Sequence, residues 1–239
     1  HFKITGEGYN PSGQFYRDGQ PVDPNRDVHA SLLLHAAMLC NDARLVQRKE
    51  EKGEKSWQII GDPTEGAMVV AAAKAGLGRE EIEKVLPRMM EIPFDSERKC
   101  MTTIHRLQAT GAHFPFACPS TAAFLKGAPD ILLNLCDSIV MNGTTVPLTE
   151  DMRNEVLAVN QDMARQALRV LGVAYRPMDD IPADCTSATV ERSLTFVGLM
   201  GMIDPARPEV KDAVRVAHGA GLKSVMVTGD YKDTAEAIA

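Results

Sequence analysis

The segment from Thr195 to Ile203 most limits what this chain can fold into. It is a continuous apolar run without a charged residue, and such a run marks a strand buried on both faces. Asp204-Pro205-Ala206-Arg207-Pro208 then opens a helix, with Val210, Ala213, Val214 and Ala217 at helical spacing. Gly219-Ala220-Gly221 closes it. Leu222 to Val227 reads as a second buried strand, ending on Thr228-Gly229-Asp230. Strand, helix, strand in that order predicts a β-α-β unit with parallel strands and a right-handed crossover.

Upstream of Leu194 the pattern differs. A helix is expected over Asn25 to Cys40, with Val28, Leu32 and Ala36 on one face. Gln47 to Lys55 is a charged loop or hairpin tip, and Trp57 to Ile60 a strand. Gly61-Asp62-Pro63 turns the chain, and Thr64 is expected to cap a helix over Glu65 to Ala75. A short helix follows over Arg79 to Leu86. Strands are expected at Met89 to Pro93, Cys100 to Arg106, His113 to Ala117 and Ala122 to Lys126, mixed as in an antiparallel sheet. Ala128 to Cys136 is helical. Asn142-Gly143 marks a hairpin over Ile139 to Val146. Thr149 to Arg169 reads as one long amphipathic helix, with Met152, Val156, Met163, Ala167 and Leu171 on one stripe.

Composition bounds the function classes. Net charge is −6, from 26 basic and 32 acidic residues, which argues against a surface built to grip nucleic acid. The five cysteines form no CxxC pair, so neither a zinc knuckle nor a disulfide framework is supported. No apolar run reaches the ~18 residues that a membrane span needs. His1 at the start, and Ile238-Ala239 inside a helical pattern at the end, suggest a piece of a longer protein. Walker, dinucleotide, GxSxG and HExxH motifs are absent from the sequence.

The residues that could carry chemistry are scattered. Thr228-Gly229-Asp230 and Asp204 lie at strand ends, where open α/β sheets bind ligands and where a carboxylate can hold Mg2+. The plainer alternative for the triplet is a helix cap after a turn. Lys126 precedes Gly127 and Pro129 at a strand-to-helix junction, a favourable place for phosphate, or is simply a turn lysine. Phe94, followed by Asp95, Ser96, Glu97, Arg98 and Lys99, puts an aromatic ring beside two cations; alternatively it is core packing before a solvated charge run. Glu65 could accept from an adenine amine, or serve the helix dipole in a first turn.

The order of these segments is more informative than any one of them. Gly61-Asp62-Pro63-Thr64-Glu65-Gly66-Ala67, Pro93-Phe94-Asp95-Ser96-Glu97-Arg98-Lys99-Cys100-Met101, Lys126-Gly127-Ala128-Pro129-Asp130, Asp204-Pro205-Ala206-Arg207-Pro208 and Thr228-Gly229-Asp230 follow in sequence. Together they resemble the cytoplasmic ATP-binding region of type II P-type cation-transporting ATPases, the group that contains calcium pumps. The resemblance implies an α/β nucleotide-binding domain over residues 1–197, an antiparallel sheet flanked by helices. Residues 198–239 would be a partial, Rossmann-like phosphorylation domain of haloacid-dehalogenase type.

It implies ATP and Mg2+ as cofactors. Phe94 would stack on adenine and Glu65 would contact its edge. Thr64, Ser96, Lys99, Met101, Lys126, Gly127, Arg169 and Leu171 would complete the nucleotide pocket. Asp204, Arg207, Thr228, Gly229 and Asp230 would organise phosphate and metal. The partners would be an adenine nucleotide and the actuator, phosphorylation and membrane domains of a parent pump. That pump would stand at the cytoplasmic face of a membrane, with this portion outside the bilayer. Ser96 stands where calcium pumps often carry arginine, and Ala206 replaces a proline. The family's phosphorylated aspartate, in Asp-Lys-Thr-Gly-Thr, is not in this sequence, so binding without turnover is expected. A nucleotide-sensing regulatory domain and a soluble phosphatase of the same superfamily stand as alternatives.

Overall fold

The computed structural model describes residues 1–49, 55–106, 120–203 and 208–227. The expected strand at His113 to Ala117 and most of the Gln47 to Lys55 tip lie outside them. So do Asp204, Arg207, Thr228, Gly229 and Asp230.

A small sheet of β1 (Lys3–Ile4), β2 (Phe15–Arg17) and β3 (Gln20–Val22) opens the chain. Helix α1 (Val28–Leu39) follows. Asp27 caps it by accepting from the Ala30 amide at 2.8 Å. A hairpin of β4 (Arg44–Lys49) and β5 (Lys55–Ile60) leads into α2 (Pro63–Lys74) and α3 (Arg79–Val85). Asp62, not the expected Thr64, caps α2: its Oδ1 accepts from the Thr64 and Glu65 amides at 2.8 and 3.2 Å. Pro63 is the first helical residue, which moves the cap one position before it.

The body is a seven-stranded sheet. Its strands are β6 (Arg88–Asp95), β7 (Cys100–Arg106), β8 (Thr121–Gly127), β9 (Cys136–Met141), β10 (Thr144–Pro147), β11 (Arg169–Met178) and β12 (Leu194–Met202). Their spatial order is β10-β9-β12-β11-β8-β7-β6, antiparallel throughout except for the parallel pair β9 and β12. The β9–β10 turn is the expected Asn142-Gly143, both at positive φ. Helices α1, α2 and α3 cover one face. On the other lie α4 (Pro129–Leu135), α5 (Glu150–Arg165) and the short α6 (Ser187–Val190). Alternation along β8 shows the two layers: Ala122 and Phe124 join the first core, Ala123 and Leu125 the second. Each fully buried Phe or Leu of this kind contributes roughly 1.5–3 kcal/mol. The expected class, a mixed α/β domain with antiparallel sheet flanked by helices, is what is found.

Three further expectations need correction. First, the long helix stops at Arg165. The Leu168 amide donates to the Met163 carbonyl at 3.1 Å and the Ala167 amide to that of Ala164 at 3.0 Å, with Ala167 at φ 61°. This is a Schellman stop in which alanine takes the usual glycine place. Leu171 therefore sits on a strand, β11, between β8 and β12. Second, the apolar run from Thr195 does not start a β-α-β unit. As β12 it pairs antiparallel with β11 and parallel with β9, so the expected boundary between residues 197 and 198 falls inside a strand. Third, Leu222 to Val227 forms no strand: Leu222, Val225 and Val227 are 64%, 76% and 92% exposed. An apolar run becomes a buried strand only where neighbours pair with it, and no described strand does. Of the expected unit, the first strand, as β12, and the helix, α7 (Pro208–Gly219), are seen among the described residues; the second strand is not.

Candidate functional site

Register gathers the candidate residues at one end of four adjacent strands. Met101 on β7 faces Lys126 on β8, which faces Val173 on β11. One step further, Cys100 faces Gly127 and Gly127 faces Gly172. Asp95, at the end of β6, pairs with Cys100. The turn carrying Phe94, Ser96 and Lys99, the Lys126-Gly127 pair and the Arg169–Leu171 strand start thus lie side by side.

The turn is built from its own polar groups. Asp95 Oδ1 accepts from the Glu97 and Arg98 amides, both at 2.9 Å, and the Lys99 amide donates to the Asp95 carbonyl at 2.7 Å. The Arg98 and Glu97 amides hold the Asp95 carboxyl below its ordinary range. Lys99 sits at φ 52°, a conformation lysine adopts only under constraint. Phe94 leaves the turn with 64% of its surface exposed. Gly127 is needed because a Cβ there would lie 2.4 Å from the Lys99 carbonyl and 2.7 Å from Cys100 Cβ. Its smallness therefore admits the neighbouring strand, where the sequence suggested approach of a ligand.

Beneath the turn lies a buried ion pair. Lys126 Nζ stands 2.5 Å from Glu65 Oε1, with the two side chains 7% and 17% exposed. Glu65 projects from the first turn of α2. Its Oε2 accepts from the Asp42 and Ala43 amides at 3.0 and 3.1 Å. Asn41, fully buried, fixes that turn: Oδ1 accepts from the Ala43 amide at 2.9 Å and Nδ2 donates to the Glu65 carbonyl at 3.0 Å. Beside the pair, exposed Arg169 donates from Nη1 to Thr64 Oγ1 at 2.9 Å. Burial raises the Asp62 carboxyl, but donation from Glu65 and Thr64, with Arg169 nearby, holds it below its usual range. Met101 is buried and Leu171 half-buried on the same face as Lys126, while Ser96 and Lys99 are exposed.

The arrangement offers an exposed ring, a buried ammonium–carboxylate pair and two exposed cations, Lys99 and Arg169, at one sheet end. That set fits a flat, polyanionic ligand. A cleft of about 410 Å3 opens instead among Asn41, Asp42, Arg44, Arg79, Glu83 and Arg88. Two of its three arginines are engaged: Arg79 Nη2 donates to the Asn41 and Ala43 carbonyls, and Arg88 Nη2 to those of Leu39 and Asn41. We read it as the back wall of the Glu65 turn. Among the described residues, no group of three or more His, Cys, Asp or Glu could hold a metal ion. Burial pushes the Cys100 and Cys136 thiols up to about 11 and about 12, which keeps them protonated. Sequence reasoning missed Asn41, Asp42 and Ala43. The signal available was an Asn-Asp pair directly after an apolar helix, a place where side chains bond their own backbone.

Comparison with known proteins gives a consistent result. Residues 30–209 match the family model described as P-type ATPase, cytoplasmic domain N. The chain is 37% identical over 240 residues to a calcium-transporting ATPase of Bacillus subtilis, covering 100% of this chain and 25% of that protein. It is 38% identical over 208 residues to calcium-transporting ATPase 1 of Lactococcus lactis, covering 87% of this chain and 22% of that protein. A probable cation-transporting ATPase F of Mycobacterium tuberculosis is 37% identical over 239 residues, 99% of this chain and 24% of that protein. The chain thus spans about a quarter of the length of the relatives it matches.

Proposed function

We propose, from the premise that this chain belongs to the P-type ATPase family, that it forms the nucleotide cradle of an ATP-driven cation pump. The observation that carries the reading is the exposed Phe94 ring, 64% open to solvent, at the same sheet end as Lys126, Glu65 and Arg169. Phe94 is the platform for adenine. Glu65, poised by the Asp42 and Ala43 amides, receives the exocyclic amine of the base. Lys126 lies deepest, paired with Glu65, and Met101 and Leu171 give the base an apolar floor. Lys99, Arg169, Ser96 and Thr64 face the phosphates, and Gly127 lets the turn close on the sheet.

In the parent pump, the bound nucleotide would phosphorylate an aspartate, with Mg2+ offsetting phosphate charge. We assign Asp204, Arg207, Thr228, Gly229 and Asp230 to that half of the chemistry, with the chain through the end of β12 at Met202 as the nucleotide domain and the residues after it as part of the phosphorylation domain. Partners are then the actuator, phosphorylation and membrane domains, at the cytoplasmic face of a membrane. Calcium is the cargo we favour, because the relatives from Bacillus subtilis and Lactococcus lactis are calcium-transporting. No helix of the described residues is long and apolar enough to cross a membrane.

Phe94→Ala tests the cradle. Stacking on a base contributes roughly 1–3 kcal/mol, so affinity for ATP should fall about fivefold or more. The melting temperature should hold, because the ring is exposed. Unchanged affinity would remove Phe94 from the site. A large drop in melting temperature, the sign of a core aromatic worth about 3–5 kcal/mol, would do the same.

A further inference from the structure

The ring that receives the base is 64% exposed, so little packing holds it and the turn backbone sets its position. We propose that Glu191, which no motif singles out, is the positioning residue that holds this turn. The inference rests on the reading of Phe94 given above. Glu191 is remote in sequence, following α6 and preceding β12. Its side chain is only 5% exposed. Oε1 accepts from Arg98 Nη1 at 2.6 Å and from Thr102 Oγ1 at 2.6 Å, and Cys100 Sγ stands 3.8 Å from Oε2. Arg98 uses its other terminal nitrogen on the turn itself. Nη2 donates to the carbonyl of Pro93, the residue before Phe94, at 2.5 Å.

One guanidinium therefore spans from a buried carboxylate to the backbone that aims the ring. Glu191 is itself fixed. Its amide donates to the Ser187 carbonyl at 2.8 Å, and Arg176 Nη1 donates to the Thr189 and Val190 carbonyls at 3.0 and 3.2 Å. A buried ion pair is a poor way to gain stability, and an apolar residue packs as well. What a guanidinium on a carboxylate supplies is direction, because its donors are coplanar and fixed. Beside a ring left 64% exposed, such a pair supplies the direction that packing supplies elsewhere.

The test is a double-mutant cycle on the full 239-residue chain, titrated with ATP and separately with adenosine. Glu191→Gln keeps shape and an acceptor and removes the charge. It should weaken both ligands by the same factor, roughly three- to tenfold, because the platform acts on the base. In a Phe94→Ala background it should weaken neither further, since the ring it positions is gone. Arg98→Lys keeps a cation that cannot reach Glu191 and Pro93 at once, and should behave alike. It carries the test if Glu191→Gln does not fold. If Phe94→Ala weakens binding but Glu191→Gln and Arg98→Lys do not, the positioning role falls and the cradle stands. Equal losses with and without Phe94 overturn it as well. If Phe94→Ala itself has no effect, the adenine reading falls, and this inference with it.

Discussion

At the scale of single residues, the Lys126–Glu65 pair is the most exacting contact in the site. Both groups are largely withdrawn from water, and Lys126 has the less exposed side chain. Glu65→Ala should cost about 3–5 kcal/mol in urea unfolding, because it strands a buried ammonium. Lys126→Met should cost less, since the Asp42 and Ala43 amides still satisfy Glu65. The double variant should fall short of the sum; strict additivity would mean the pair is not coupled. His105 gives a second expectation. Its Nδ1 faces the Leu86 carbonyl at 2.9 Å, and burial, with Arg88 nearby, lowers it from 6.5 to about 4. The unfolded chain then binds the proton first, so stability is intact above 6.5 and is lost as pH falls toward 4. The loss is on the order of 3 kcal/mol. His105→Gln should flatten that limb of the pH–stability curve. Glu65, Lys126, Phe94 and Arg169 were legible because their motifs stand in a recognisable order. Asn41 and Glu191 were not, because their work is done across space on groups far away in sequence.

At the scale of elements, the β6–β7 turn joins a constrained backbone to the proposed nucleotide contacts. Lys99 is held at φ 52°. Lys99→Gly should relieve that conformation and stabilise the fold by up to about 1 kcal/mol. It should also weaken ATP binding by removing a cation. A variant that loses stability and keeps affinity would show that Lys99 serves only the turn. Most elements were readable from periodicity and turn chemistry, including the Asn142-Gly143 hairpin. The strand β11 was not. Ala167 at the helix stop gives none of the signal glycine would, and Val170, Leu171 and Val173 continue the apolar pattern of α5 without a break. Hydrogen bonds across the Schellman stop, rather than residue type, mark the boundary.

At the scale of the whole molecule, groups from α2, β6, β7, β8 and β11 meet at one sheet end, and the described residues after β12 add little to it. Val216 on α7 is 69% exposed and Val227 is 92% exposed. A chain ending at Ile203 should therefore melt within a few degrees of the full chain and bind ATP with the same affinity. Parallel thermal melts and titrations check this, and a large loss in either would place part of the cradle beyond β12. The apolar run from Thr195 was readable as a buried strand but not as to its partners, because pairing is set by the rest of the sheet. The central claim is that this sheet end is the nucleotide site. Its most direct test is an amide chemical-shift titration of the full chain with ATP, carried through about 1 mM, where binding amounts to only about −4 kcal/mol. The expected result is a saturable shift confined to Thr64-Glu65, Phe94 to Lys99, Lys126-Gly127 and Arg169 to Leu171. Shifts confined to α7, to residues 222–227 or to the β4–β5 hairpin, with those four segments unmoved, would contradict it.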